Sequence, residues 1–324
     1  MGTGRSGAGS GVLRLATRGS PLALRQAELV AQHLARVDPE LEVATVVVRT
    51  RGDELAAVPL DRIGGQGAFV KEVQTAVLDG RADAAVHSAK DLPPLTPDGL
   101  VVAAVPERAD PRDGLVGRCL ADLVAGAVVA TGSARRRAQL ANLRPDLTFI
   151  ELRGNMGTRL RRAEEGGLTV VVAVAALERL GWADRLSEVL PISYLLPQIG
   201  QGTLAVECRD DDEARRDLLT HIDDEVSRRT LTAERALLAA LGASCSVPVA
   251  GFAEPLGGGR LRLQGLLASG DGRVLVREAL EGDDPATLGV ELAHHLLFDC
   301  GGSVIDEWAV DERAVQGSPE RGGG

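Results

Sequence analysis

Arginines stand where predicted strands turn into predicted helices. A helix predicted over 134–143 directly follows a strand and opens with Arg135, Arg136 and Arg137. Helix starts favour acidic residues, because the helix dipole and the free N–H groups there are already positive. Three arginines at this position are therefore unfavourable unless an anion binds between them. The turn, which also holds Ser133, is predicted to bind an anionic group.

Two other strand-to-helix turns have the same character. One contains Arg153 and Arg159, and the turn nearest the N-terminus contains Arg18. There Ser20 fits an N-cap and Pro21 fits the first helical position. A strand that runs into a capped helix points backbone N–H groups outward, which suits an anion. Single arginines are often merely solvated at a surface, but their repetition at successive turns favours a shared anionic ligand.

One acidic residue is predicted to lie among these cations. The strand predicted over 83–87 is followed by Ser88, Lys90 and Asp91. Polar residues at the carboxyl end of a strand in an open α/β sheet lie where ligands usually bind. A carboxylate surrounded by cations is suited to stabilise a developing positive charge in a reaction. The alternative is an ordinary surface pair between Lys90 and Asp91.

One of four scattered cysteines stands on a short loop between two packed elements. A leucine-rich amphipathic helix ends near Gly242, and Cys245 follows in a loop of small residues before an apolar strand opens at Val247. A thiol in this position is held in place and has room beside it. The alternative is a buried free cysteine that packs as a small hydrophobic residue. Because CxxC and Cys/His spacings are absent, neither a disulfide framework nor a metal site is predicted.

Composition restricts the class of protein. With 324 residues, 44% hydrophobic and 25% charged, the chain suits a soluble protein of two or three domains. No apolar run approaches the roughly 20 residues that cross a bilayer. The Gly- and Ser-rich start lacks the apolar stretch of a signal peptide, so a cytoplasmic protein is predicted. The net charge of −10 argues against a general nucleic-acid binder.

The order of elements predicts an α/β fold with three domains. Domain 1 comprises 12–105 and 202–220, domain 2 comprises 106–201, and a smaller α+β domain 3 comprises 222–312. The tails, 1–11 and 313–324, are predicted to be disordered. Strands are predicted over 12–17, 42–49, 83–87, 127–131, 147–152, 168–174, 203–207, 247–253, 260–267 and 273–280. Helices are predicted over 22–35, 70–78, 134–143 and 286–298. The stretch 51–67 is interpreted as either a mobile loop or an ordinary surface connection. Gly200-Gln201-Gly202 is predicted to be a bend that returns the chain to domain 1.

These motifs, in this order, resemble the hydroxymethylbilane synthase (porphobilinogen deaminase) family of tetrapyrrole biosynthesis over 12–312. The resemblance rests on ATRGSPLAL at 16–24, VHSAKDLP at 86–93, the arginine turns at 135–136 and 153–159, the bend at 200–202, and the segment from Glu234-Arg235 to Pro248. One departure is Ala243-Ser244, where the family usually has Gly-Gly before the cysteine. Both side chains are small, so the loop is expected to be retained.

The resemblance implies a chemistry and a set of roles. Cys245 would carry a dipyrromethane cofactor through a thioether, to which four porphobilinogen molecules are added with loss of ammonia before hydrolysis releases hydroxymethylbilane. Asp91 would be the catalytic acid that steadies cationic intermediates. The other cofactor ligands would be Lys90, Ser88, Ser133, Arg135 and Arg136, and the substrate ligands would be Arg18, Ser20, Arg153 and Arg159. The family fold has two domains like periplasmic binding proteins around a cleft, the loop at 51–67 able to cover it, and a monomer as its default state.

Two rival functions differ in class. A two-lobed anion receptor without chemistry would explain the arginines, but it would leave Cys245 and Asp91 without a role and would normally carry a signal peptide. A transferase with a thiol nucleophile would need a histidine partner, and none of the five histidines has a recognisable spacing to Cys245.

Overall fold

The computed structural model describes residues 12–50, 70–152, 154–242 and 247–305. These ranges hold thirteen strands and eight α-helices, and the strands form three separate sheets. Within the same ranges, none of the helices combines the length and the apolar character that crossing a membrane requires.

The first sheet has five strands in the order β2-β1-β3-β10-β4. They are β1 (Leu13–Arg18), β2 (Val43–Val48), β3 (Ala84–Ser88), β4 (Leu100–Ala104) and β10 (Leu204–Arg209). Strand β1 runs parallel to β2 and β3, whereas β10 runs antiparallel to both β3 and β4. Helix α1 (Pro21–Val37) buries Ala27, Val30 and Leu34 on one face, and α2 (Lys71–Leu78) buries Val73, Ala76 and Val77 on the other.

The second sheet repeats this plan in the order β7-β6-β8-β5-β9. Its strands are β5 (Asp113–Val116), β6 (Val128–Ala130), β7 (Thr148–Ile150), β8 (Thr169–Ala173) and β9 (Glu188–Val189). Strand β6 is parallel to β7 and β8, while β5 is antiparallel to β8 and β9. Helix α3 (Ala134–Leu143) packs on one face through Leu140, and α4 (Met156–Gly166) and α5 (Val174–Arg179) pack on the other through Leu160 and Leu177.

The chain crosses between these sheets twice, through a first crossing segment (105–112) and a second crossing segment (190–203). After the second crossing it supplies β10, which lies between β3 and β4 of the first sheet. Two five-stranded, mainly parallel α/β units of this kind confirm the predicted fold class. The domain limits given above stay a prediction.

The third sheet is an antiparallel meander of β11 (Val249–Gly257), β12 (Arg260–Ala268) and β13 (Leu275–Gly282). Helices α7 (Glu225–Ala240) and α8 (Pro285–His294) cover one face of it, and the remaining helix, α6 (Glu213–Thr220), packs on the first sheet. The other face contacts the second unit, because Ala138 of α3 packs against Phe252 and Leu266. The smaller C-terminal α+β unit is therefore present and is attached to α3.

Helix α7 is also tied to both crossing segments through Glu234, which is fully buried. Its Oε1 accepts hydrogen bonds from Arg108 Nη1 at 2.6 Å and Ala253 N at 2.9 Å, and its Oε2 accepts one from Gly200 N at 2.7 Å. The next residue, Arg235, donates to Pro94 O at 3.0 Å in the loop after β3. Two adjacent residues of one helix thus contact the first unit, both crossing segments and the third sheet.

The predicted elements agree with these bounds to within about two residues at most ends, and α3 agrees at both. Helix α8 ends earlier than predicted, at His294, and continues as a π-type turn over 295–299. Strands β4, β5 and β9 were not predicted; β5 and β9 have only four and two residues, and each begins with an acidic residue. Helix α6 was not predicted either, and Asp212 caps it by accepting a hydrogen bond from Arg215 N.

Candidate active site

Four predicted site residues line one cleft at the edge of the first sheet. Arg18 lies at the end of β1, and Ser20 caps α1 by accepting a hydrogen bond from Ala23 N at 3.3 Å. Ser88 ends β3, and Asp91 follows in a single 3₁₀ turn with an exposed side chain. Because β1 and β3 are parallel neighbours, their carboxyl ends bring the cation, the hydroxyls and the carboxylate together.

A glutamine that the sequence analysis missed holds Ser88 in this cleft. Gln26 lies on the buried face of α1 and is 4% exposed. Its Nε2 donates to Ser88 Oγ at 2.8 Å, and the Ser88 hydroxyl lies 3.2 Å from Gln26 Oε1. A polar residue in the apolar stripe of an amphipathic helix is the sequence signal that could have identified it.

The arginines at the start of α3 surround an anion, and that anion is a carboxylate of the chain itself. Asp113, the first residue of β5, is completely buried. Arg135 Nη2 donates to its Oδ2 at 2.7 Å, and Arg136 donates to its Oδ1 from Nε at 3.0 Å and from Nη2 at 2.6 Å. Arg137 points away and donates to Gly270 O at 3.1 Å in the turn before β13. Ser133 caps the helix by accepting from Arg136 N at 3.4 Å.

The charges in this cluster do not balance, because one carboxylate faces two guanidinium groups. Burial alone would raise the pKa of Asp113, but Arg135 and Arg136 outweigh it and lower the pKa to about 2. Burial also lowers the pKa of Arg135. Within the described ranges, Nε of Arg135 is buried and has no hydrogen-bond partner. An excess of positive charge and an unused donor both favour a further anionic group beside Asp113.

Lys90 connects the cleft to this cluster. Its Nζ lies 3.3 Å from Gln201 Oε1, and Gln201 Nε2 donates to Asp113 Oδ1 at 3.0 Å. Burial lowers the pKa of Lys90 to about 8, and the negative charge of Asp91 opposes that effect. The first and second sheets thus contribute cations to one continuous polar region.

Arg179 is a further cation that the sequence analysis missed. It ends α5, and its Nη2 donates to Gly202 O at 2.6 Å in the second crossing segment. Burial lowers its pKa to about 10. Its helix follows β8 without a loop, so the turn pattern that revealed the other arginines is not present there.

Of the three remaining predicted site residues, Arg159, Arg153 and Cys245, the structure describes only Arg159. Arg159 lies on α4 and donates from Nε to Gly154 O at 2.8 Å, next to the position of Arg153. Arg153, Cys245 and the loop at 51–67 lie outside the described residues. Gly242 and Val247 mark the two sides of the segment that contains Cys245.

The fold and the cleft define a two-lobed α/β protein with a cation-rich site for an anionic ligand. The chain matches the family model for the porphobilinogen deaminase dipyrromethane cofactor-binding domain over residues 13–217, and the model for the porphobilinogen deaminase C-terminal domain over 229–297. It belongs to the porphobilinogen deaminase family. The chain is accordingly a transferase of tetrapyrrole biosynthesis, and its cofactor is dipyrromethane.

Relatives cover nearly the whole chain. The porphobilinogen deaminase of Syntrophus aciditrophicus is 44% identical over 305 residues, which are 92% of this chain and 99% of that protein. The porphobilinogen deaminase of a Roseiflexus species is 47% identical over 299 residues, covering 90% of this chain and 98% of its own. Among solved structures, the methionine-binding protein MetQ overlaps with a TM-score of 0.42 at 13% identity, covering 67% of this chain and 92% of its own.

Proposed function

We propose that the protein condenses four porphobilinogen molecules head to tail on a dipyrromethane primer, with loss of ammonia, and releases linear hydroxymethylbilane by hydrolysis. The observation that carries this proposal is the cleft in which Asp91 lies beside Arg18, Ser20 and Ser88. A single acid among cations and hydroxyls suits a reaction in which polycarboxylate molecules are bound while positive charge develops on them.

The residues of the chain fit a dipyrromethane. Each of its two pyrroles carries an acetate and a propionate, so it brings four carboxylates. The cluster of Lys90, Arg135 and Arg136 has surplus positive charge and an unused donor on Arg135. Ser88 and Ser133 add hydroxyl donors. These five residues would hold the carboxylates, and a thioether to Cys245 would fix the group in the cleft.

Once bound, the dipyrromethane supplies the nucleophilic carbon on which the chain of pyrroles grows. The protein's part is to bind and orient porphobilinogen and to stabilise charge. Arg18 and Ser20 line the cleft next to Asp91, Arg159 lies on α4, and Arg153 precedes that helix in the sequence. We assign the carboxylates of porphobilinogen to these four residues. The exposed carboxylate of Asp91 then steadies the cation that forms when ammonia leaves.

The proposal extends to the setting of the enzyme. We propose a cytoplasmic monomer that acts on free porphobilinogen and binds neither nucleic acid nor a membrane. The chain divides, on this view, into domain 1 (12–105 and 202–220), domain 2 (106–201) and domain 3 (222–312), with the cofactor attached to the last of these.

Intact-mass spectrometry tests the attachment. Protein purified from cells that make porphobilinogen should carry an added mass of two pyrrole units, and Cys245→Ser should lack it. The controls are Cys119→Ser, Cys208→Ser and Cys300→Ser, whose thiols are free in the structure and which should keep the adduct. An unmodified wild-type mass, or loss of the adduct in one of the controls, would refute the assignment of Cys245.

A further inference from the structure

Gln201 joins a lysine of the first sheet to the buried ion cluster of the second. It lies on the second crossing segment, and its side chain is completely buried. Its Oε1 accepts a hydrogen bond from Lys90 Nζ at 3.3 Å. Its Nε2 donates to Asp113 Oδ1 at 3.0 Å and to Pro111 O at 2.7 Å. One amide therefore contacts both the cation that follows β3 and the carboxylate that begins β5.

The backbone on both sides of this amide has little freedom. Gly200 and Gly202 have φ angles of +73° and +87°, which L side chains rarely adopt. A Cβ on Gly200 would come within 2.9 Å of Lys90 N, and a Cβ on Gly202 would come within 2.5 Å of Ala109 O. The two glycines thus let the crossing segment press against its neighbours, and this close contact fixes the position of the Gln201 side chain.

Only an amide satisfies both contacts. A carboxylate at this position would face Asp113, and an ammonium would face Lys90, so either would place like charges side by side. The charged groups around Lys90 are Asp91 and Asp113, which favour its charged form, and Arg135 and Arg136, which disfavour it. Burial also disfavours the charge, and the hydrogen bond from the ammonium to the amide oxygen counteracts burial.

We propose that Gln201 is a positioning residue for Lys90: its amide oxygen holds the lysine ammonium at the cleft and keeps it protonated at neutral pH. The inference rests on the proposed function, in which Lys90 is a ligand of the cofactor carboxylates. It adds a residue of the second crossing segment to the groups that determine whether that ligand is charged.

The scarcity of lysine makes the test direct, because the chain contains only Lys71 and Lys90. In full-length protein carrying lysine labelled with ¹³C at Cε, Lys71→Arg identifies the Lys90 signal, whose midpoint in the cofactor-free Cys245→Ser chain should lie near a pKa of about 8. Gln201→Met keeps the length of the side chain and removes the acceptor. It should lower the Lys90 midpoint by about one pH unit, the size expected for one hydrogen bond to a charged group.

Gln198→Met is the matched control. Gln198 lies on the same segment and donates to the backbone oxygen of Lys90 at 3.3 Å, so the ammonium keeps its partner when Gln198 is replaced. The Lys90 midpoint in Gln198→Met should therefore equal that of the wild type. An unchanged or raised midpoint in Gln201→Met overturns the inference.

A second measurement needs no substitution of Gln201 and covers a Gln201→Met chain that does not fold. In the wild type, the ¹⁵N signal of the Gln201 side-chain amide should titrate with the same midpoint as Lys90. An amide signal that stays constant through that midpoint also overturns the inference.

Repeating the lysine titration in Cys245→Ser separates this inference from the proposed function. If cofactor carboxylates approach Lys90, they favour its charged form, and the wild type should titrate at a higher pH than Cys245→Ser. Equal midpoints in the two chains contradict the proposed function. The effect of Gln201→Met is the difference in the Lys90 midpoint with and without this substitution, measured separately in the wild-type and the Cys245→Ser backgrounds. If that difference is absent, only the role of Gln201 is contradicted.

Discussion

At the scale of single residues, Asp113 determines whether the cations at the start of α3 can be buried. Arg135 and Arg136 are 3% and 7% exposed, and a buried guanidinium is costly unless it is paired and hydrogen-bonded. Asp113 supplies the pairing, and the carbonyl groups of Leu196 and Val171 accept further hydrogen bonds at 2.6 and 3.0 Å. The cleft therefore has its cations fixed in place before any ligand binds.

Asp113→Asn should destabilise the protein strongly. The amide keeps the shape of the side chain but leaves two buried guanidinium groups without a counter-ion, and breaking a buried pair costs about 3–5 kcal/mol. Denaturation in urea measures the change in the free energy of unfolding. The control is Asp211→Asn, because Asp211 accepts two hydrogen bonds from Arg209, at 2.8 and 2.6 Å, but at the surface. That variant should unfold at nearly the wild-type urea concentration, and equal losses in both variants would contradict the role of Asp113.

The same carboxylate predicts a dependence of stability on pH. The pKa of Asp113 in the folded protein, about 2, lies below the roughly 3.9 of an unfolded aspartate. Its contribution is therefore complete above about pH 4 and is lost as the pH falls through about 2. The difference in unfolding free energy between wild type and Asp113→Asn should shrink over this interval, as urea denaturation at successive pH values would show. A constant difference would mean that Asp113 does not titrate in this interval.

Replacing Asp91 separates turnover from cofactor attachment. Asp91→Asn keeps the shape but removes the negative charge, so it should carry the adduct on Cys245 and release ammonia about a hundredfold to a thousandfold more slowly. Asp91→Glu keeps the charge and should retain more activity. Intact mass and ammonia release are measured on each variant. Asp98→Asn, an exposed carboxylate of the same loop, is the control, and near-normal turnover by Asp91→Asn would remove Asp91 from the mechanism.

At the scale of elements, α7 holds the crossing segments in place through Glu234. Its carboxylate accepts from the first crossing segment, the second crossing segment and β11 at once, so three separate chain segments depend on one side chain. Burying this carboxylate is possible because Arg108 also lies against it, with its guanidinium 5.1 Å from the ring centroid of Phe252.

Glu234→Gln should loosen this junction. The amide nitrogen would face an N–H group, and Arg108 would lose its counter-ion, which together predict a loss of about 3–5 kcal/mol in unfolding free energy. Thermal unfolding and urea denaturation measure the loss. Glu291→Gln, on the exposed side of α8, makes the same chemical change at the surface and should have little effect. If both variants were equally stable, Glu234 would not be the anchor of the crossing segments.

Elements with a local signal could be predicted from the sequence, and those that depend on distant partners could not. Ser20 and Pro21 predict the start of α1, and the polar run after β3 predicts the placement of Asp91 at a cleft. The excess positive charge at the start of α3 predicted an anionic ligand between the arginines, and in the structure a carboxylate of the chain itself, Asp113, lies there. Nothing local identified Asp113 as that anion, because it lies 22 and 23 residues from its partners in sequence. Gln201 was read only as part of a bend, since its two contacts come from different sheets.

At the scale of the whole molecule, the cleft depends on two units that share one plan. Each sheet has three adjacent parallel strands that begin at one edge, followed by an antiparallel fourth strand, and the polar region around Lys90 and Asp113 lies at strand ends and helix starts of both units. A chain with a net charge of −10 thereby concentrates cations in the region that we propose binds carboxylates. Net charge describes the whole chain and not this site, so it alone gave no indication of the ligand.

The insertion of β10 between β3 and β4 has a consequence for how the protein is made. During synthesis on the ribosome, β3 and β4 emerge about a hundred residues before β10 does. Until then the first sheet lacks an internal strand, and the backbone donors and acceptors of β3 and β4 that β10 will pair have no partner from that strand. The N-terminal unit cannot complete its fold as it is translated, and the second unit, whose strands are consecutive in the chain, is the first that can close. Vectorial synthesis thus favours an order of folding that is not the order of the sequence.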